Sequence, residues 1–189
     1  MTAMETLLAT PFEKTFTDFV DEDNITKIKD NLFEQYQITL ASSLKDFEKF
    51  EFITEKIMGH DGSSTIKKTL DKICHQESQS KHKIEIKDES LKNAILNSYD
   101  DPLKKHIMNI AFDYPLTLWE IASRVRYGSF SLSENISYLI SHGLLTTRDL
   151  NDSEGNKKYY STIDDISVKI DESEFRVYVT INDISEETP

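Results

Sequence analysis

The chain has 189 residues, 38% hydrophobic and 30% charged, an ordinary globular balance that supports one large domain or two small ones. A net charge of −12 argues against broad electrostatic attraction to nucleic acid, and a single cysteine, Cys74, excludes an internal disulfide framework. No stretch approaches the roughly 20 apolar residues that span a bilayer, and Met1 to Ala9 holds Glu5 and too short an apolar run for a signal peptide, so a soluble, cytoplasmic protein without a membrane partner is expected.

The first 75 residues are helical by period. Phe12, Phe16 and Phe19 fall at i, i+4 and i+7, and Ile25, Ile28, Leu32 and Tyr36 repeat the pattern after a candidate cap at Asn24. A third helix runs from Ser42 or Ser43 through Leu44, Phe47, Phe50, Ile53 and Ile57 to Gly59, and a fourth begins near Ser63 or Ser64 with Ile66, Leu70 and Ile73 on one stripe. Such amphipathic faces must pack together or against a second copy, so residues 1–75 are expected to form a helical domain for dimerisation or sensing, open to a protein partner or a small effector. The aromatic residues Phe12, Phe16, Phe19, Phe33, Phe47, Phe50 and Phe52 follow helix period without convergent polar groups, which favours core packing over a ligand pocket.

Residues 76–100 are expected to be a polar linker followed by a connecting helix. The stretch from His75 to Ser90 is almost wholly polar, with Ile84 and Ile86 alternating as a short edge strand would, and Leu91, Ala94 and Ile95 mark the helix.

Residues 101–163 carry the strongest pattern. Pro102 suits the first position of a helix, and Leu103, Ile107, Ile110 and Ala111 form its buried stripe. Thr117-Leu-Trp-Glu120 and Ser131-Leu-Ser-Glu134 both fit the capping box, with a turn at Arg126-Tyr-Gly-Ser-Phe130 between the helices they open. Trp119 is expected to be a core or near-core anchor beside Leu118, Ile121 and Val125. In the next helix Leu132, Ile136, Leu139 and Ile140 share one face and Gly143 is the stop. Leu144 to Leu150 and Lys157 to Ile163 then form a ribbon around the turn-rich Asn151 to Asn156, the size of a wing. Residues 164–189 add a hairpin, Ile166 to Ile170 and Phe175 to Ile181, and an acidic tail. The fold class is therefore α+β: mainly helical with a small antiparallel β portion, an N-terminal helical domain, a C-terminal winged helix-turn-helix and an extra hairpin. The acidity lies mostly outside the winged helix: residues 1–97 hold 13 basic and 18 acidic side chains, residues 98–163 hold 7 and 8, and residues 164–189 hold 2 and 8.

On Leu118-Trp-Glu-Ile-Ala-Ser-Arg-Val125, on Leu132 to Gly143 with Leu144 and Leu145, and on Lys157-Lys-Tyr-Tyr-Ser-Thr-Ile163, the C-terminal half resembles archaeal winged helix-turn-helix transcriptional regulators of the ArsR/MarR-like kind. The resemblance implies that the second capped helix enters the major groove of double-stranded DNA while the ribbon lies along the backbone. Ser133, Asn135, Ser137 and Tyr138 would then face the bases, Asn135 being suited to adenine. Arg124, Arg126, Tyr127, Arg148, Lys157 and Lys158 would contact phosphates. The groove-facing helix itself contains no Arg or Lys.

The expected function is a DNA-binding transcriptional regulator acting as a homodimer, since one recognition helix makes few contacts. The alternative is a winged-helix module that docks another protein without binding DNA. No enzyme is expected: there is no glycine-rich phosphate loop, nucleophile elbow or HExxH, and no pair of carboxylates stands out. No cofactor or metal is expected either, because Cys74, His75, His82 and His60 lack ligand spacing, and His106 and His142 fall on separate helices.

Overall fold

The computed structural model describes residues 3–76, 83–112, 114–125, 129–149, 157–171 and 174–182. Four helices come first: α1 (Ala3–Phe19), α2 (Glu22–Tyr36), α3 (Phe47–Met58) and α4 (Asp61–Ile73). Two of the starts in this region are capped by side chains. The carboxylate of Asp21, not Asn24, caps α2 by accepting from the Asn24 amide at 2.9 Å. Thr39 and Ser42 form a reciprocal capping box that opens a 3-10 turn over Leu40–Asp46, so the expected third helix arrives in two pieces. Phe12, Phe16 and Phe50 bury completely, with ring centroids 5.2 to 5.6 Å apart. Phe19, Phe33, Phe47 and Phe52 instead remain on the surface.

The stretch expected to be a solvated linker is structured where it is described. β1 (Cys74–Gln76) continues α4, and β2 (Lys83–Ile86) pairs with it antiparallel. β2 also pairs with a strand from the far end of the chain, in register Ile84 with Val179 and Ile86 with Val177. It is thus an interior strand, not the edge expected, and Ile84 and Ile86 are fully buried. Polar residues on both sides of two isoleucines conceal this locally, because alternation shows that one face is apolar but not what covers it.

α5 (Glu89–Asp100) and α6 (Pro102–Ile110) meet at Asp101, whose carboxylate accepts from the amides of Leu103 (2.9 Å) and Lys104 (3.0 Å). β3 (Leu116–Thr117), α7 (Leu118–Val125), α8 (Ser129–Ser141), β4 (Leu145–Asp149) and β5 (Lys157–Ser161) follow. β3, β5 and β4 form a three-stranded sheet in that spatial order, and the tip between β4 and β5 lies outside the described residues. The last hairpin, β6 (Ile163–Ile170) and β7 (Phe175–Ile181), joins the N-terminal strands in a sheet ordered β1-β2-β7-β6. The chain is therefore α+β, with a winged helix-turn-helix between two segments that share one sheet.

The two parts are stitched together by backbone contacts as well as apolar packing. Buried Thr162 donates its hydroxyl to the Gly143 carbonyl (2.7 Å) and its amide to the Leu144 carbonyl (3.1 Å). The side-chain amide of Asn182 donates to the carbonyls of Phe112 and Ser161, tying the end of β7 to the wing. Gly143 ends α8 with φ of 69°, and a Cβ there would lie 2.5 Å from the Thr6 carbonyl oxygen and 2.8 Å from Leu7 Cα. The backbone of α1 rests directly on the end of α8.

Candidate nucleic-acid interface

α7 starts where the sequence places it. The Glu120 carboxylate accepts from the Thr117 amide (2.7 Å) and hydroxyl (2.9 Å), while the Glu120 amide donates to the Thr117 hydroxyl oxygen at 3.2 Å. These bonds from Thr117, with smaller help from Lys158 and Arg124, hold the Glu120 carboxyl below its ordinary pKa. Exposed Arg124 on α7 and half-buried Lys158 on β5 both lie close enough to Glu120 to act on its charge. The register explains it: Lys158 pairs with Thr117 on β3 and with Arg148 on β4, so β5 carries its cation against the start of α7. Lys157 is exposed at the first position of β5, opposite Asp149. Of the phosphate candidates, Arg124 and Lys158 thus share the junction of helix and wing, while Lys157, one position earlier on β5, faces the other side of the sheet. The Arg148 backbone lies in β4 beside them, and Arg126 and Tyr127 lie outside the described residues.

α8 begins at Ser129, so Ser131 and Glu134 sit inside the helix and do not open it. Leu132, Ile136 and Leu139 bury; Ile140 is 39% exposed and leaves that stripe. Ser133 and Ser137 are exposed and one turn apart, as expected of outward-facing residues. Asn135 is half-buried: it follows Leu132 by three and precedes Leu139 by four, which sets it on the flank of the core stripe and not on the outward face. Tyr138 is also half-buried, its ring 4.2 Å from that of His142, with the Lys104 ammonium 5.0 Å from the ring centroid.

No family model matches the chain, and no curated protein does either. Among solved structures, NolR from Sinorhizobium fredii is similar at 21% identity over 40% of this chain and 72% of that one, with a TM-score of 0.35. HlyU from Vibrio cholerae matches at 21% identity over 38% of this chain and 75% of that one, with a TM-score of 0.34. The reduced form of HlyU gives the same identity, share of this chain and TM-score, over 73% of its own length. At this similarity the functional reading rests on the residues of the chain itself.

Two features of the surface escaped the sequence. Trp119, expected in the core, is 78% exposed, beside Leu118 at 45% and near Tyr114 at 72%. The buried residues of α7 are Ile121 and Val125, one turn apart, and Trp119 stands two positions before Ile121, about 200° around the helix. An apolar neighbourhood in sequence did not say which side of the helix faced inward. Lys104 was likewise missed as a cation beside α8, because only the packing of α6 against α8 brings it there.

Among the described residues no group of three His, Cys, Asp or Glu side chains could hold a metal ion. Burial pushes the Cys74 thiol up to about 11. His75 is exposed on β1, and His82 lies outside the described residues. A groove of about 380 Å³ runs between α1 and α2, lined by Glu13, Lys29, Phe33 and Leu40 among others. Among the described residues no helix is long and apolar enough to cross a membrane.

Proposed function

We propose that the chain is a DNA-binding transcriptional regulator that engages duplex DNA through its winged helix as a homodimer. The observation that carries this reading is the approach of Arg124 on α7 and Lys158 on β5 to Glu120, on either side in sequence of the exposed Ser133 and Ser137 of α8, with Lys157 next to Lys158 on β5. Cations on the ribbon side suit phosphates, and α8, with serines and no Arg or Lys on its outward face, suits close approach to a groove with little direct reading of guanine. Lys104, beside the Tyr138 ring, is paired with Asp101 at 2.7 Å and adds little free positive charge at the flank of α8.

The test is titration of mixed-sequence genomic duplex at several salt concentrations. Each neutralised phosphate contributes a slope of about −0.9 in log K against log salt, so five cations (Arg124, Arg126, Arg148, Lys157 and Lys158) give about −4.5 per protomer. Lys157→Ala should remove about one unit of slope without altering sequence preference, and Ser137→Ala should weaken preference while leaving the slope in place. Absence of association at low salt rejects the reading.

A second reading has a specific observation behind it. Trp119 and Leu118 at the head of α7, and Tyr114 just before β3, all leave large apolar side chains in solvent, residue types that anchor protein-docking surfaces. If DNA is not bound and Trp119→Ala abolishes capture of a partner protein, the winged helix is an interaction module.

A further inference from the structure

The four-stranded sheet has unequal edges. β1 closes one side with three residues, whereas β6 ends the other with eight, and no described strand pairs with its outer side. Across the hairpin the Asp171 amide donates to the Glu174 carbonyl at 2.9 Å. Hydrogen-bonded and non-bonded positions alternate along an antiparallel pair, so Asp165, Ser167 and Lys169 direct their backbone groups toward β7. Ile166, Val168 and Ile170 direct theirs outward. On the same hairpin, Val168 (42% exposed), Ile170 (78%) and Phe175 (44%) leave apolar surface in solvent.

We infer that β6 is the pairing strand of a homodimer, joined antiparallel to β6 of a second copy about a two-fold axis through Ser167. An exposed edge of this length is a template for another strand, and the sequence of β6 is self-complementary in this register. Ile166 meets the partner's Val168 as a hydrogen-bonded pair, using the outward amides and carbonyls of both. Asp165 meets the partner's Lys169 as a non-bonded pair, where side chains come closest. Two-fold symmetry makes each of these contacts twice. The Lys169 ammonium lies 4.7 Å from the Tyr178 ring centroid of its own chain, on the same face as Asp165 and within side-chain reach of the edge. The register also sets Ile170 beside residue 164 of the other copy, where a cleft of about 160 Å³ is lined by Tyr99, Met108, Phe112 and Ile163 among others. The joined edges pair the free backbone groups of β6 and set exposed Val168 against the partner's Ile166.

This names the surface by which the proposed dimer forms, and it rests on that reading only for the dimeric state. The test uses the full chain in the absence of DNA, so it succeeds or fails apart from DNA binding. Sedimentation equilibrium of the wild-type chain should give about twice 21.9 kDa at micromolar concentration. Val168→Pro removes an outward amide that faces no described strand; it should keep the circular dichroism of the wild type and reduce the mass to that of one chain. Lys169→Asp and Asp165→Lys should each raise the dimer dissociation constant by about tenfold or more through like charges set opposite one another. The double variant Asp165→Lys/Lys169→Asp should restore the wild-type constant, which no general surface effect of either change would do. A monomeric wild type, a dimer that persists in folded Val168→Pro, or a double variant no tighter than the single ones overturns the proposal.

Discussion

Replacing Gly143 by Ala tests the seam between α1 and the end of α8. Two costs add at this position. The backbone is in the left-handed region, with φ of 69°, which costs an L-residue about 1 to 2 kcal/mol. The new Cβ would also lie 2.5 Å from the Thr6 carbonyl oxygen and 2.8 Å from Leu7 Cα, both backbone atoms that no rotamer change can move. Relief requires α1 to shift, stretching the already long 3.5 Å contact from the Thr10 hydroxyl to the Ser141 carbonyl, and overpacking of this kind costs about 1 to 3 kcal/mol more. The expected loss is therefore about 2 to 5 kcal/mol, a large share of the net stability of an ordinary domain. Equilibrium urea denaturation, followed by far-ultraviolet circular dichroism, should show a lowered midpoint at unchanged slope. Gly143→Asn separates the two costs, because Asn tolerates positive φ but carries the same Cβ. If the clash dominates, Asn is as damaging as Ala. A loss below about 1 kcal/mol for Ala, or near-complete recovery with Asn, would refute the close approach of α1.

Trp119→Ala should change stability by less than about 0.5 kcal/mol, since the ring is exposed, and native tryptophan emission should already be solvent-like. A blue-shifted native spectrum would show the ring covered. Cys74, buried with its thiol raised to about 11, should resist a water-soluble thiol reagent at pH 8 and label at the rate of unfolding; fast labelling of the native chain would contradict its burial. Glu120 has a folded pKa below its ordinary value of 4.5, so the stability it contributes is present above that value and is lost as pH falls through the folded one. Glu120→Gln should flatten this part of the acid limb of a stability profile, and an unchanged limb would show that the Thr117 capping box is not populated. Thr117→Ala should cost about 1 kcal/mol at neutral pH by removing the hydroxyl cap, measured by the same denaturation.

The features legible in the sequence were those decided within about four residues. Thr117 and Glu120 find each other across one helical turn whatever surrounds them, Pro102 fits an N-terminal turn because its missing amide is not needed there, and Gly143 stops α8 because positive φ suits glycine. The order of helix, capped helix, stop and ribbon followed from these signals, and so did the fold class. Rotation and partnership did not follow. Trp119 and Ile121 are both apolar, and only packing against the rest of the winged helix turned Ile121 inward and left Trp119 in solvent. Asn135 has a side chain suited to a base edge, yet the burial of Leu132 and Leu139 rotates it to the flank. The cations at the candidate interface were visible as residue types, while the convergence of Arg124 and Lys158 on Glu120 required β5 to lie between β3 and β4. The clearest case is β2. Its pairing partner β7 lies at the opposite end of the chain, and hydrogen bonds between backbones carry almost no trace in side-chain identity, so a polar stretch that reads locally as a linker becomes the interior strand that binds the two ends together.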